Sequence, residues 1–154
     1  MKRRIYTDTS VMGGVLDVEF TQSSQILMDT FRHGEATLVI SSLTELELLS
    51  APSGVQATLA QVPEVHRERV EMTEEALVLA GLYIDARAIG PANRADAQHI
   101  AIATVSRVDA LVSWNFKHIV NLKRIQAYNS VNLREGYPIL EIRTPREVID
   151  YGND

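Results

Sequence analysis

The chain has 154 residues, of which 45% are apolar and 23% charged, and this composition suits one soluble domain with a substantial core. It contains no cysteine, which excludes disulfides and thiolate metal sites, so any bound metal must be held by oxygen or imidazole ligands. The formal net charge of −5 argues against a nucleic-acid binder that works by bulk positive charge.

The start of the chain, MKRRIYTDTS, has basic residues but lacks the apolar segment of a signal peptide. No apolar stretch approaches the roughly 18 residues that a membrane span needs. We therefore expect a cytoplasmic protein with no membrane partner.

The first third of the chain is predicted to begin with a short strand, Arg4 to Asp8, followed by a loop with two glycines. Thr21 or Ser23 is a candidate cap for a helix that runs to about Arg32 and stops at His33-Gly34. The β-branched, apolar stretch ATLVIS predicts a second strand.

The middle of the chain is predicted to be mostly helical. SLTELELLSA favours a short helix that ends before Pro52, and the segment from Ser53 to Val62 favours another. VHRERVEM is ambiguous, with a short strand near Val70. Thr73 is then a plausible cap for a helix that runs to about Ala88.

The last third of the chain holds the clearest helix, IGPANRADAQHIAIATVSRVD, whose apolar residues recur at helical spacing. ALVSW predicts a strand that ends at Asn115, and a polar helix follows, roughly from Val120 to Arg134. ILEIR predicts a last strand, and TPREVI a closing helical turn with Thr144 as its cap and Pro145 at its first position.

Strands that alternate with helices indicate crossover connections and a mainly parallel sheet. We therefore predict an α/β fold of three layers over residues 1–154, as a single domain with helices on both faces of the sheet. The pattern does not determine the order of the strands.

Acidic side chains are placed where a parallel sheet forms its sites, outside the carboxyl ends of the strands. Asp8 follows the first strand, Glu45 and Glu47 lie on the helix after the second, and Asp96 lies in the first turn of the clearest helix. Each position alone is better explained by capping, by the helix dipole or by a wet helix edge. Carboxylates that converge from distant segments are, however, what a Mg²⁺ or Mn²⁺ site requires.

A basic stretch runs from Trp114 to Arg134 without a single Asp or Glu. It contains Lys117, His118, Lys123 and Arg124. These residues either form a solvated helix face or attract an RNA backbone.

Four stretches of the chain resemble the PIN domain, the metal-dependent ribonuclease fold of the toxins in VapBC-type toxin–antitoxin pairs. They are IYTDTSVMGG, LVISSLTELELLSAP, RADAQHIAIATVSRVDALVSWNFKHIVN and VNLKRIQAYNSVNL. They occur in the expected order and cover most of the chain. ADAQHIAIAT and LVSWNFKHIVN are the specific segments, whereas DTS alone is weak.

The resemblance implies a metal-binding role for Asp8, Glu47 and Asp96. Glu47 is chosen over Glu45 because PIN domains tend to place the glutamate three residues after a threonine-like position, which here is Thr44. Many PIN domains carry a fourth acid after the fourth strand. That position is Asn115 here, an uncharged residue that can orient a water or a ligand, so a second metal site is in doubt.

The resemblance therefore implies a Mg²⁺- or Mn²⁺-dependent endoribonuclease, with RNA as substrate and Lys117, His118, Lys123 and Arg124 as candidate RNA contacts. It also suggests a small antitoxin as partner and a homodimer. The alternative is a PIN-like module with little or no turnover that acts by binding RNA or protein, and Asn115 is the feature that motivates it. An aspartic protease is excluded, because the DTS sequence has no glycine at its third position and no second copy.

Overall fold

The computed structural model describes residues 2–149, and over that range it contains one five-stranded sheet and eight α-helices. The strands are β1 (Arg4–Thr7), β2 (Thr37–Ser41), β3 (Arg67–Val70), β4 (Ala110–Val112) and β5 (Ile142–Arg143). The helices are α1 (Thr9–Gly14), α2 (Thr21–Arg32), α3 (Ser42–Leu49), α4 (Ser53–Ala60), α5 (Glu74–Asp85), α6 (Arg94–Val105), α7 (Leu122–Arg134) and α8 (Pro145–Val148). Within the same range, no helix is both long and apolar enough to cross a bilayer.

All five strands are parallel and lie in the order β3-β2-β1-β4-β5. This confirms the predicted α/β fold with a mainly parallel sheet. Ile5 at the centre is paired with Leu38 on one side and Ala110 on the other. The carboxyl ends of β1 and β4 are therefore neighbours, although about 100 residues separate them in the chain.

The side chains of the strands alternate between two buried layers, because successive residues of a strand point to opposite faces. Tyr6 packs with α5, α6 and α7, whereas its neighbour Ile5 packs with α1, α2 and α8. In β2, Val39 packs in the same layer as Tyr6, and Leu38 packs in the same layer as Ile5. The three-layer arrangement thus follows from apolar residues at consecutive strand positions, which is typical of a sheet that is covered on both faces.

The largest error of the sequence prediction is the expected loop after β1, which is the helix α1. Two glycines lower its helix propensity, but Val11 and Met12 are completely buried, so tertiary packing holds the helix. Gly14 is needed for clearance, because a Cβ there would lie 2.8 Å from Nε1 of Trp114.

Helix boundaries differ from the predicted ones by a few residues. Neither Thr21 nor Ser23 caps α2, whose N-cap position is Phe20. The side chain of Asn93 makes no capping hydrogen bond to α6, whereas Thr73 caps α5 as predicted by accepting from the backbone N–H of Ala76. Helix α5 ends at Asp85, and α7 begins after Asn121, which caps it.

Gly34 and Gly136 provide a test of backbone strain, because both adopt positive φ, at +73° and +88°. A Cβ at Gly34 would lie 2.8 Å from both ring nitrogens of His66, whereas a Cβ at Gly136 would have nothing within 4 Å. We expect Gly136→Ala to cost about 1 kcal/mol of unfolding free energy, the price of the left-handed backbone alone. Gly34→Ala should cost a further ~1–3 kcal/mol, because the His66 ring must move. Urea denaturation measures both, and equal losses would contradict the expected clash.

Candidate active site

Asp8 lies at the carboxyl end of β1 and is only 6% exposed. Its two carboxylate oxygens accept hydrogen bonds from the hydroxyls of Ser10 (2.6 Å) and Ser113 (2.7 Å). Ser113 follows β4, so the pairing of β1 with β4 is what brings these residues together. Asp8 is thus held in one orientation from two sides.

Glu47 lies on α3, which Ser41 begins as its N-cap by accepting from the backbone N–H of Thr44. Its Oε1 accepts from the hydroxyl of Thr9 (2.8 Å) and lies 2.7 Å from Nε2 of His99. The spacing of Thr44 and Glu47 places them on the same face of the helix. Glu45 points elsewhere and forms an ion pair with Arg69 at 2.7 Å.

A buried hydrogen-bond chain connects Glu47 to the core. Nδ1 of His99 lies 2.6 Å from the hydroxyl of Tyr6, which lies 2.7 Å from the hydroxyl of Ser41. A carboxylate can only accept, so Nε2 of His99 carries the proton that it donates to Glu47. In the neutral imidazole Nδ1 then accepts from Tyr6, and each member of the chain donates to the next.

Asp96 lies in the first turn of α6 and is half-buried. Its Oδ2 accepts a hydrogen bond from Nδ2 of Asn115 (3.3 Å). The other amide atom of Asn115, Oδ1, accepts from the backbone N–H of His118 (2.9 Å), so the loop after β4 is tied to the carboxylate. Asn115 therefore positions Asp96 through a hydrogen bond.

Electrostatics couple the three carboxylates. Burial raises the pKa of Asp8 above its ordinary value, and the field of Asp96 raises it further, while His99, Ser10 and Ser113 act in the opposite direction. Burial also raises the pKa of Asp96, with His118 opposing that shift and Glu47 adding to it. In Glu47 burial acts to raise the pKa, but the hydrogen bonds from His99 and Thr9 overcome burial and bring the pKa below its ordinary value.

Basic side chains line a cavity of about 330 Å³, which Lys117, two residues after Asn115, connects to the carboxylate site. Its cationic lining consists of Arg87, Lys117, Lys123 and Arg124, and no acidic residue lines it. The structure thus brings together three of the four predicted RNA contacts. His118 does not line the cavity; it acts instead on Asp96.

The donor set suits a hard divalent cation, because Asp8, Glu47, Asp96 and Asn115 offer only oxygen ligands and amide groups. Within residues 2–149, however, no group of three or more acidic or histidine side chains could hold a metal ion in the arrangement shown. Mg²⁺ is usually bound through one or two carboxylates and keeps several waters, so it does not need such a cage. The chemistry fits a cation that is bound partly through water.

Sequence reasoning did not identify several residues that shape the site. Arg87 lies in the turn after α5 with positive φ, and no local pattern relates it to Lys123. His99 is 2% exposed and contacts Glu47, which lies 52 residues away in the chain, so no local pattern relates the two. Ser10, by contrast, lies only two residues after Asp8 in the chain, and its hydroxyl donates to that carboxylate.

The comparisons with known proteins indicate a fold rather than a close relative. No protein-family model matches the chain, and no curated protein matches its sequence. A structure of VapBC2 from Rickettsia felis, bound to a DNA fragment from their promoter, aligns with a TM-score of 0.57 at 14% identity, over 92% of this chain and 98% of that one.

Two further solved structures are similar to this chain. VapC20 of Mycobacterium tuberculosis, described as a sarcin-ricin loop cleaving toxin, aligns with a TM-score of 0.55 at 12% identity, over 74% of this chain and 92% of that one. FitAB bound to an IR36 DNA fragment aligns with a TM-score of 0.60 at 12% identity, over 96% and 99%. The chain therefore has the PIN-like fold that its sequence motifs predict, and it resembles the VapC-type toxins in structure.

Proposed function

We propose that this protein is a metal-dependent endoribonuclease that hydrolyses RNA phosphodiester bonds, as the toxin of a toxin–antitoxin pair. The observation that carries the proposal is the hydrogen bonding that links Ser113 to Asp8, Thr9 to Glu47 and Asn115 to Asp96 at the carboxyl edge of the sheet, on a fold shared with VapC structures. Burial raises the pKa of Asp8 and that of Asp96, so their ionised forms are costly, and a bound cation offsets that cost.

In this proposal Asp8, Glu47 and Asp96 would hold Mg²⁺ or Mn²⁺. When bound, such an ion lowers the pKa of a water and stabilises charge on the phosphate oxygens. Ser10 and Ser113 keep the Asp8 carboxylate facing the site, and His99 and Thr9 do the same for Glu47. Asn115 orients Asp96, and the basic cavity attracts the RNA backbone.

The test is cleavage of a panel of labelled RNAs by the purified protein with Mn²⁺, beside an Asp96→Asn variant. We expect cleavage by the wild type that chelation abolishes, and a loss of at least about 100-fold in the variant. Cleavage that persists in the variant would point to a contaminating nuclease and would remove the support for this site.

A second candidate function is a binding module without turnover. It is favoured by Asn115 in the place of a fourth acid and by the lack of a ready-made three-ligand cluster among residues 2–149. RNA or protein binding that survives Asp96→Asn, without cleavage by the wild type, would establish this function instead.

An antitoxin partner is part of the proposal, because two of the similar structures, VapBC2 and FitAB, are complexes bound to DNA. A short neighbouring gene that encodes a DNA-binding protein would identify it. Co-purification of the two products would then show the complex, and light scattering of the toxin alone would test the expected homodimer.

The basic cavity predicts a salt-dependent affinity for RNA. Lys117→Ala with Lys123→Ala should weaken binding of all RNA sequences and reduce the slope of log K against log salt by about 1.4–1.8, because each lost phosphate contact removes about 0.7–0.9. Both lysines are exposed, so the fold should survive. Fluorescence anisotropy across a salt series measures the slope. The matched control is Lys2→Ala with Arg3→Ala, two exposed cations that precede β1 at the amino ends of the strands; an equal effect there would contradict a local RNA contact.

A further inference from the structure

An aromatic cluster lies directly beside the candidate site. The rings of Phe20 and Trp114 are stacked, with centroids 4.3 Å apart and planes at 16°. The ring of Phe116 lies 6.1 Å from both and is tilted against them. Trp114 is 6% exposed and Phe20 is partly buried, whereas Phe116 is 50% exposed. Phe116 thus presents an aromatic surface to solvent, supported by two more buried rings.

The support for this surface is rigid. Nε1 of Trp114 donates to the hydroxyl of Ser24 (2.8 Å), and its backbone N–H donates to the hydroxyl of Ser10 (2.9 Å). Gly14 leaves the space that the indole occupies. A single exposed apolar side chain is normal on a protein surface; an exposed ring that two fixed aromatic rings support is pre-organised for contact.

The cluster is also connected to both carboxylates. Ser10, which accepts from the backbone of Trp114, itself donates to Asp8. Asn115, the residue before Phe116, donates to Asp96. Lys117, the residue after it, lines the basic cavity. Three consecutive residues, which span at most about 7 Å, therefore contact the carboxylate site, expose a ring and supply a cation.

We propose that Phe116 is a stacking platform for an unpaired nucleobase next to the phosphodiester at the carboxylate site. This inference rests on the proposed function and names a residue that contacts the substrate. An aromatic face beside a positively charged groove is the arrangement by which proteins bind single strands, because every base has a stacking face and the cations follow the backbone. In a duplex the bases are already stacked and paired, and Phe116 cannot reach a base face without opening it.

The test measures binding in EDTA, so that no cleavage occurs. Anisotropy of a labelled 12-nucleotide RNA, single-stranded or annealed to its complement, is recorded for the wild type and for Phe116→Ala, Phe116→Leu and Phe116→Trp. We expect Phe116→Ala and Phe116→Leu to lose about 5- to 150-fold in affinity for the single strand, the range for removing one base–aromatic stack. Phe116→Trp should retain affinity, and duplex binding should be weak and unaffected by the variants.

Two controls test whether a loss of affinity is specific to the ring at position 116. Leu133→Ala removes an exposed apolar side chain from α7, and should leave affinity unchanged. Trp114 is the only tryptophan of the chain, so its emission should change on addition of the single strand to the wild type and less so with Phe116→Leu. Thermal melting of each variant shows that the fold is kept.

The outcomes separate this proposal from the nuclease. If Phe116→Leu binds the single strand as tightly as the wild type while cleavage with Mn²⁺ still depends on Asp96, the platform is wrong and the nuclease stands. If binding depends on an aromatic residue at 116 but no RNA is cleaved, the platform stands and the nuclease is wrong. If the variants bind RNA normally but fail to bind a protein partner, the ring is a protein-binding surface and the proposal is overturned.

Discussion

The Asp8→Asn variant is expected to lose RNA cleavage by at least about 100-fold while becoming more stable than the wild type in metal-free buffer at neutral pH. The loss is expected because the amide cannot carry the negative charge that a cation requires. The gain is expected because Asp8 is almost completely buried and burial raises its pKa more than its hydrogen bonds lower it, so ionisation of the wild type at neutral pH costs stability. Mn²⁺-dependent cleavage and thermal melting in EDTA measure the two effects.

The pH dependence of the difference in stability between Asp8→Asn and the wild type tests independently whether the buried charge is destabilising. A carboxylate whose folded pKa is raised contributes stability that is complete below its unfolded pKa of about 3.9 and is lost as pH rises through the folded pKa. The advantage of Asp8→Asn over the wild type should therefore be small at acid pH and widen toward neutrality. Taking the difference removes the contributions of groups outside the site, such as Glu68, which are common to both proteins.

A matched control makes the same chemical change on the surface. Asp85→Asn, at the exposed C-terminal end of α5, should leave cleavage unchanged and unfolding free energy within about 0.5 kcal/mol. Wild-type stability that matches Asp8→Asn at every pH would show that burial of the charge has no cost. Addition of Mn²⁺ should stabilise the wild type and not Asp8→Asn, because ligand binding raises stability only where the site is intact.

The second large effect is expected at His99. Replacement by leucine removes the donor to Glu47 and the acceptor for the buried hydroxyl of Tyr6. We expect a loss of about 1–3 kcal/mol in unfolding free energy, the cost of buried polar groups left unpaired. Cleavage should fall by about 10- to 100-fold, as is typical when the residue that orients a metal-binding carboxylate is removed. Denaturant unfolding and initial cleavage rates measure these losses.

Conservative variants show whether His99 acts through Glu47. His99→Gln keeps an amide donor and should recover part of the activity lost in His99→Leu. Tyr6→Phe removes only the hydroxyl that bonds Nδ1 and should affect stability more than cleavage, because the ring and the contact to Glu47 remain. Calorimetry with Mn²⁺ adds a readout that packing alone would not change: a weaker affinity in His99→Leu than in His99→Gln. Equal affinities and rates for the two variants would make His99 a packing residue only.

Local patterns in the sequence determined most of the secondary structure. Apolar residues at helical spacing identified α6, and Thr73 and Pro145 marked the starts of α5 and α8. These signals are local because a cap or a helical turn joins residues only three or four positions apart. Helix α1 shows the limit of such signals, since burial of Val11 and Met12 overrides two glycines.

Sequence patterns also identified the acidic residues of the candidate site, because strand ends and helix starts position them. They did not reveal what the carboxylates contact, since Ser113, His99 and Asn115 approach from segments that are far apart in the chain. The choice between Glu45 and Glu47 likewise depends on where Arg69 and His99 lie. Arg87 joins the basic cavity only through the fold.

The sequence by itself thus determined most of the elements of the protein and the elements that carry its acidic residues, because hydrogen bonding and apolar periodicity act over a few residues. Only the tertiary structure decided the strand order β3-β2-β1-β4-β5, the hydrogen-bond chain behind Glu47 and the exposed ring of Phe116 beside the site. These features depend on which distant segments pack together. Burial of apolar surface drives that choice, and it is non-directional, so no short pattern encodes it.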